Sequence, residues 1–171
     1  FGTLSERKGV TETLESTFFI EESTQQNIAI LIAGKTKEES LIHKINEFIS
    51  QNKNLTKVQI IWDNSFIVNS KMAALFKQTD FVLMPYKNPE ASSGVLGHAM
   101  KSNKPVIGPS KGLIGEIIVD YKMGVVIGEI SPKEIALAIS GYENISIDPK
   151  LIQPFIESHS VTNFAKTLVC S

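Results

Sequence analysis

The chain has 171 residues, 42% of them hydrophobic and 20% charged, with a formal net charge of −1. This profile is typical of one soluble globular domain, and the balanced charge excludes the basic surface that binds nucleic acid. A single cysteine, Cys170, excludes an internal disulfide, and the spacing of the Cys and His residues predicts no metal site. The longest apolar run, at 28–33, has the length of a strand and is too short to cross a membrane.

The chain starts at Phe1-Gly2, without an initiator Met or a signal peptide. These two residues read as the middle of a strand whose upstream part is missing. We therefore expect the sequence to be a fragment of a longer protein.

Hydrophobic periodicity predicts an alternation of strands and helices. Strands are expected at residues 1–4, 27–33, 58–62, 81–84, 106–107 and 124–127. Helices are expected at residues 9–22, 37–51, 69–78, 95–100, 113–121 and 132–140. Thr36 with Glu39 three residues later predicts a capping box, and Ser131 before Pro132 predicts a second helix start.

After Gly141 the pattern changes, because 147–157 and 161–169 read as amphipathic segments with no strand between them. We therefore expect one domain over 1–171, with a core at 1–142 and C-terminal helices at 143–171. Strands separated by helices of about ten residues require parallel neighbours and right-handed crossovers. The predicted fold is α/β: a Rossmann-like, doubly wound parallel sheet of about six strands.

In such a sheet the loops that follow the strands lie at one edge, where open α/β sheets bind ligands. The first loop carries Gly2, Thr3 and Lys8, and the lysine beside a helix start is a natural phosphate partner. The second loop brings Gly34 and Lys35. The alternative is that Lys8 is an ordinary solvated surface charge.

The third loop offers Phe66 or Ile67 as an apolar contact for a nucleobase, although such residues more often cover the core. In the fifth loop, Gly112 and Gly115 would let the backbone come close to a ligand.

The fourth loop is the most informative stretch of the chain. Glu90, Ser92, Ser93 and Gly94 lie between a strand and a helix, whose first turn offers free N–H groups to an anion. Glu90 places a carboxylate where it can accept hydrogen bonds from sugar hydroxyls. The alternative is that a serine only caps the helix and Gly94 only packs.

Five segments carry a family resemblance: F-G-T-L-S-E-R-K-G-V, I-L-I-A-G-K, L-F-K-Q-T-D-F-V-L-M-P, E-x7-H-A-M-x4-P-V-I-G and G-L-I-G-E-I-I-V-D-Y-K-M-G-V-V-I. Over about residues 1–142 the chain resembles the carboxy-terminal, donor-binding domain of retaining GT-B glycosyltransferases. This family includes bacterial capsule, O-antigen and phosphatidylinositol mannosyltransferases. The resemblance implies the C-terminal half of a GT-B fold, in which a cleft between two domains holds a nucleotide sugar.

The resemblance assigns roles to several of these residues. It implies that Lys8 binds phosphate, that Glu90 is catalytic through its contact with the sugar hydroxyls, and that Ile67 touches the base. It also implies diphosphate contacts from the backbone around Ser92, Ser93 and Gly94. Two positions depart from the family: Thr3 stands where an arginine is common, and His98 replaces the second glutamate. An imidazole can still form a hydrogen bond with a ribose hydroxyl. The alternative is that His98 is a helix residue turned against a neighbour.

The leading hypothesis is the donor-binding domain of a bacterial, cytoplasmic hexosyltransferase in polysaccharide biosynthesis. A missing N-terminal domain would bring a polysaccharide or glycolipid acceptor, and the full-length protein would associate peripherally with the inner face of the membrane. Lys8 and helix N–H groups would stabilise the departing nucleoside diphosphate without a metal or cofactor. The fragment alone is expected to be inactive.

Three other functions are weighed against this one. The first is a degenerate, non-catalytic GT-B-like module with a scaffolding or partner-binding role. The second is half of a sugar-nucleotide epimerase, for which Glu90, Glu116 and His98 are the only acid–base candidates. A dinucleotide dehydrogenase is disfavoured because no G-x-G-x-x-G follows the first strand.

Overall fold

Strands and helices alternate along the chain, as the periodicity predicts. The structure is a computed structural model that describes residues 1–52, 54–89 and 93–158. The strands are β1 Ala29–Ala33, β2 Gln59–Asp63, β3 Val82–Leu83, β4 Val106–Pro109 and β5 Gly124–Ile127. The helices are α1 Val10–Ser16, α2 Glu22–Gln25, α3 Glu39–Gln51, α4 Asn69–Gln78, α5 Gly94–Lys101, α6 Gly112–Asp120, α7 Pro132–Ser140 and α8 Pro149–Ser158. Single 3₁₀ turns lie at Glu6–Lys8, Thr17–Phe19 and Tyr142–Asn144.

All the strand pairs are parallel, which confirms the predicted α/β class. β1 pairs with β2 in the register Ala29 to Gln59. β4 lies between β3 and β5, with Ile107 opposite both Leu83 and Val125. The described residues thus hold five strands, in one sheet of two and one sheet of three.

The strand expected at 1–4 is not formed, which accounts for the difference from about six. Gly2 donates its backbone N–H to the Ala33 oxygen at 3.0 Å, and Leu4 donates to Lys35 at 2.9 Å. Residues 1–4 therefore run beside the end of β1 instead of along its length. Two hydrogen bonds at a strand end do not make a strand ladder.

The capping box at Thr36 is a wrong prediction. The Thr36 hydroxyl accepts the backbone N–H of Glu38 at 3.1 Å, and α3 begins only at Glu39, with Glu38 at its N-cap. A threonine that bonds the backbone two residues ahead forms a local turn, which competes with capping. At Ser131 the prediction is confirmed, since its hydroxyl accepts from the Glu134 N–H at 3.4 Å.

The helix expected at 9–22 ends early. The hydroxyls of Ser16 and Thr17 donate to the carbonyls of Thr13 and Leu14 at 2.6 and 2.8 Å. The chain then tightens into a 3₁₀ turn and becomes extended at Ile20. Hydroxyls that bond back into the preceding turn weaken a helix end, so α1 and α2 are separate helices.

Two apolar clusters form the core, and each draws residues from both halves of the chain. The first packs α1, α3 and α7 around Leu14, Leu41 and Ile135. The second packs α5, α6 and α8 around Met100, Ile114 and Ile152, all fully buried. The C-terminal segment 147–157 is thus helical as predicted, whereas 161–169 lies outside the described residues.

Candidate functional site

The first two loops meet through their backbones at the carboxyl edge of β1. Gly34 has a φ of +143°, and a Cβ at this position would lie 1.7 Å from the carbonyl oxygen of Gly2. Only glycine allows this approach. Gly2 and Gly34, both predicted site residues, therefore lie side by side at the same edge.

The first loop also packs on the loop that follows β3. Gly9 has a φ of +66°, and a Cβ there would lie 2.2 Å from the carbonyl oxygen of Pro85. The Lys87 N–H donates to the Arg7 carbonyl at 2.8 Å, and the Lys87 ammonium pairs with Glu12 at 2.7 Å. These contacts fix Lys8, which lies between Arg7 and Gly9, against the fourth loop.

Lys8 is a half-buried cation at this junction. Its Nζ donates to the carbonyl oxygen of Phe1 at 2.7 Å and lies 5.6 Å from the centroid of the Tyr86 ring. Burial, followed by the nearby charge of Arg7, lowers the pKa of Lys8 to about 8. A cation that is partly desolvated and has only neutral partners among the described residues is well suited to receive an anion.

Tyr86 links Lys8 to the start of α5. Its hydroxyl lies 3.4 Å from the Ser93 hydroxyl, and burial raises the pKa of the Tyr86 phenol, which keeps it protonated. Ser93 is the N-cap residue of α5, but its side chain makes no capping hydrogen bond. A Cβ added to Gly94 would meet only open space. The first turn of α5 is thus open to a ligand, and the structure does not support the alternative in which Ser93 only caps the helix.

Gly112 and Gly115 serve internal packing. A Cβ on Gly112, whose φ is +68°, would lie 2.9 Å from the backbone of Pro89, and one on Gly115 would lie 2.6 Å from the backbone of Ser110. The prediction that these two glycines let the backbone approach a ligand is therefore wrong, because the space beside each of them is filled by the chain's own backbone. Beside them a cavity of about 290 Å³ opens between the loops that follow β3, β4 and β5, with Lys87 among its lining residues.

The remaining predicted residues do not all join this edge. Phe66 is 79% exposed, and in the described part of the chain neither Phe66 nor Ile67 takes part in the hydrogen bonds or ring contacts that join the other loops. The side chains of Thr3 and Lys35 are exposed. Glu90 and Ser92 lie outside the described residues, and their roles stay predictions.

His98 packs against a neighbouring helix. Its ring lies 5.8 Å from that of Phe76 on α4, and Phe76 in turn contacts the Phe1 ring at 5.4 Å. This contact favours the packing alternative for His98 over a hydrogen bond to a ribose. Tyr86, which sequence reasoning did not select, is the residue that joins Lys8 to Ser93. Its position two residues after the apolar run 81–84, just beyond a strand end, is the signal that marks it.

A comparison with protein families gives one match. The model described as glycosyl transferases group 1 matches residues 1–153. The chain belongs to the glycosyl transferases group 1 family. A comparison with curated proteins finds no match. Within the part of this group 1 domain that the structure describes, no helix combines the length and apolarity needed to cross a membrane, and no three metal-ligating side chains cluster.

Solved structures share the GT-B fold with this group 1 domain at low sequence identity. The C-terminal domain of LpcC, a group 1 glycosyl transferase from Francisella tularensis, has a TM-score of 0.68 at 23% identity, over 89% of this chain and 75% of that one. HepE from Anabaena, in complex with UDP, has a TM-score of 0.73 at 18% identity, over 99% of this chain and 48% of that one. The E. coli trehalose-6-phosphate structure bound with UDP-2-fluoro glucose has a TM-score of 0.79 at 10% identity, over 99% and 42%. The chain therefore spans less than half the length of the Anabaena and E. coli proteins.

Proposed function

We propose that this glycosyltransferase domain binds the diphosphate of a nucleotide-sugar donor at the carboxyl edge of its strands. The observation that carries the proposal is the contact chain from Lys8 through Tyr86 to Ser93, which places a half-buried cation near the start of α5. The positive end of the helix dipole and the free N–H groups of the first turn add to the field of the lysine. UDP in HepE and a UDP sugar in the E. coli structure are ligands of the matching chemistry.

In the proposed reaction the bond from the anomeric carbon to the diphosphate breaks, and negative charge develops on the leaving nucleoside diphosphate. Lys8 and the N–H groups of Gly94 and Val95 stabilise that charge. Glu90 orients the sugar through its hydroxyls, as the family resemblance implies. The acceptor, a polysaccharide or glycolipid, is held by another part of a longer cytoplasmic hexosyltransferase, so the chain alone binds a donor without turning it over.

Isothermal titration of the chain with UDP, GDP and ADP tests the proposal. We expect binding of at least one nucleotide, and a loss of about tenfold or more in affinity for Lys8→Ala, because a charge-assisted contact to phosphate is removed. Lys101→Ala is the matched control, because Lys101 is an exposed lysine at the C-terminal end of α5, far from the proposed phosphate site at the start of that helix. Equal affinities for the two variants would contradict the proposed site.

Two observations favour a second candidate, a non-catalytic module. His98 packs on Phe76, and Thr3 replaces an arginine that would have supplied a second positive charge. A module that has lost donor binding would show no heat with any of the three nucleotides. The same titration therefore distinguishes the two candidates.

A further inference from the structure

The cavity of about 290 Å³ between the loops that follow β3, β4 and β5 lies beside the proposed diphosphate site. Tyr86 forms part of the cavity wall. The hydroxyl of the same tyrosine lies 3.4 Å from that of Ser93, and its ring lies beside Lys8. A cavity of this volume is at the small end of ligand sites and suits a single sugar ring.

Backbone contacts hold the three loops that form this cavity. A Cβ on Gly112, at the start of α6, would lie 2.9 Å from the backbone of Pro89, so the loops that follow β3 and β4 touch. The N–H of Ser110 donates to the carbonyl of Ile127 at 2.9 Å, which ties the end of β4 to the end of β5. The cavity is therefore formed before any ligand binds.

The cavity carries a positive charge. Lys87 and Lys111 line it, and no carboxylate does so among the described residues, although the exposed Glu129 lies close by in sequence. The charge of Lys87 is balanced by Glu12 at 2.7 Å, whereas in the described part of the chain Lys111 forms no ion pair. One uncompensated lysine matches a carboxylate, with a single negative charge, better than a phosphate monoester, which carries up to about two.

The other lining residues suit a sugar. Asn88 and Ser110 bring a carboxamide and a hydroxyl, which can exchange hydrogen bonds with sugar hydroxyls. Ile127 and Ile130 bring apolar surface, against which the C–H face of a sugar ring can pack. The cavity thus combines one free cation with the mixed polar and apolar lining that a hexose needs.

We propose that this cavity binds a hexuronic acid unit of a substrate, with its carboxylate held by Lys111. The unit is the transferred sugar of the donor or a sugar of the acceptor, an assignment that rests on the proposed function because it depends on the neighbouring diphosphate site. In both cases Lys111 is a residue that selects an acidic sugar over a neutral one.

NMR titrations of the isotopically labelled chain with D-glucuronate and with D-glucose test the proposal without a nucleotide. We expect glucuronate to shift the amide signals of Asn88, Ser110 and Gly128 saturably, and glucose to bind at least about threefold more weakly. Lys111→Glu should weaken glucuronate binding by about tenfold, because it replaces attraction by repulsion. Lys101→Glu is the matched control, since it makes the same charge change on an exposed lysine at the far end of α5 and should leave the affinity unchanged.

Three results would overturn the proposal: no saturable shift of these amides with glucuronate, equal binding of glucuronate and glucose, or equal losses in Lys111→Glu and Lys101→Glu. Nucleotide binding without glucuronate binding would refute this inference alone. Glucuronate binding without nucleotide binding would refute the proposed diphosphate site and support the cavity as a site for an acidic sugar.

A second titration identifies the source of the hexuronic acid. It compares UDP-glucuronate with UDP-glucose, or GDP-mannuronate with GDP-mannose if GDP is the nucleotide that binds. Tighter binding of the uronate, lost in Lys111→Glu, would support the proposal with the donor as the source. Equal binding of the two nucleotide sugars, with glucuronate still shifting Asn88, Ser110 and Gly128 when the nucleotide is bound, would support it with the acceptor as the source.

Discussion

The ammonium of Lys8 lies 2.7 Å from the carbonyl oxygen of Phe1 and 5.6 Å from the centre of the Tyr86 ring. Lys8 thus joins Phe1, at the start of the chain, to Tyr86 in the loop that follows β3, 85 residues further along the sequence. Its partners in the described part of the chain are a neutral carbonyl and a neutral ring. The positive charge therefore remains available to an anion at the sheet edge.

Donor binding should weaken as the pH rises through about 8. The pKa of Lys8 is lowered to about 8 by burial and by Arg7, so this side chain loses its charge well below the usual range of lysine. An anion binds the charged form, and the affinity for a nucleoside diphosphate should fall by up to about tenfold per pH unit above that pKa. Titrations between pH 7 and 9.5 measure this fall. Lys8→Ala should bind weakly with a flat profile, and a flat profile in the unmutated chain would refute the role of Lys8.

The same shift predicts how stability depends on pH. Lys8 has a pKa of about 8 in the folded chain and an ordinary, higher value when unfolded. Between these values the unfolded chain binds more protons, so the contribution of Lys8 to the free energy of unfolding rises with pH. Urea unfolding of the chain and of Lys8→Met, at pH 7.5 and pH 9.5, isolates this term. The stability of the unmutated chain relative to the variant should increase over that interval, and a decrease would mean that the lysine is stabilised in its charged form.

Gly34→Ala should lower the free energy of unfolding by about 2 to 4 kcal/mol. Its φ of +143° and the Gly2 oxygen at 1.7 Å from the added Cβ leave no space for a methyl group. Gly97→Ala is the matched control, because a Cβ there has no neighbour within 4 Å and the position lies inside α5. The control should raise stability by about 0.5 to 1 kcal/mol through helix propensity. Equal effects of the two substitutions would contradict the close approach of the first two loops.

Tyr86→Phe separates the hydroxyl of Tyr86 from its ring. The change removes the 3.4 Å contact with Ser93 and keeps the packing of the ring beside Lys8. We expect a loss of about 0.5 to 1.5 kcal/mol in the free energy of unfolding, the net value of a typical hydrogen bond. Tyr86→Ala should cost several kcal/mol, because it also leaves a cavity. Thermal or urea unfolding of both variants measures the difference, and equal losses would show that the hydroxyl carries the whole effect.

The hydrophobic periodicity of a single segment was sufficient to predict those helices and strands whose ends depend on that segment alone. α4, α7 and β5 have the predicted bounds, and at α7 the Ser131 cap and Gly141 mark the two ends. The sequence also predicted the edge at which Gly2, Lys8, Gly34 and Ser93 meet, because parallel topology places all these loops on the same side.

Other features depend on contacts between distant segments, which periodicity does not encode. Residues 1–4 meet β1 only beyond its end. The orientation of His98 depends on Phe76, a residue on another helix. Tyr86 gains its place in the site only because the first loop packs against Pro85.

An NMR titration of the isotopically labelled chain with UDP, GDP and ADP tests the central claim most directly. We expect at least one nucleotide to shift the amide signals of Gly9, Gly94 and Val95 together and saturably. Saturable binding that leaves these three amides unchanged, or no binding of any nucleotide by the unmutated chain, would contradict a diphosphate site between Lys8 and the start of α5.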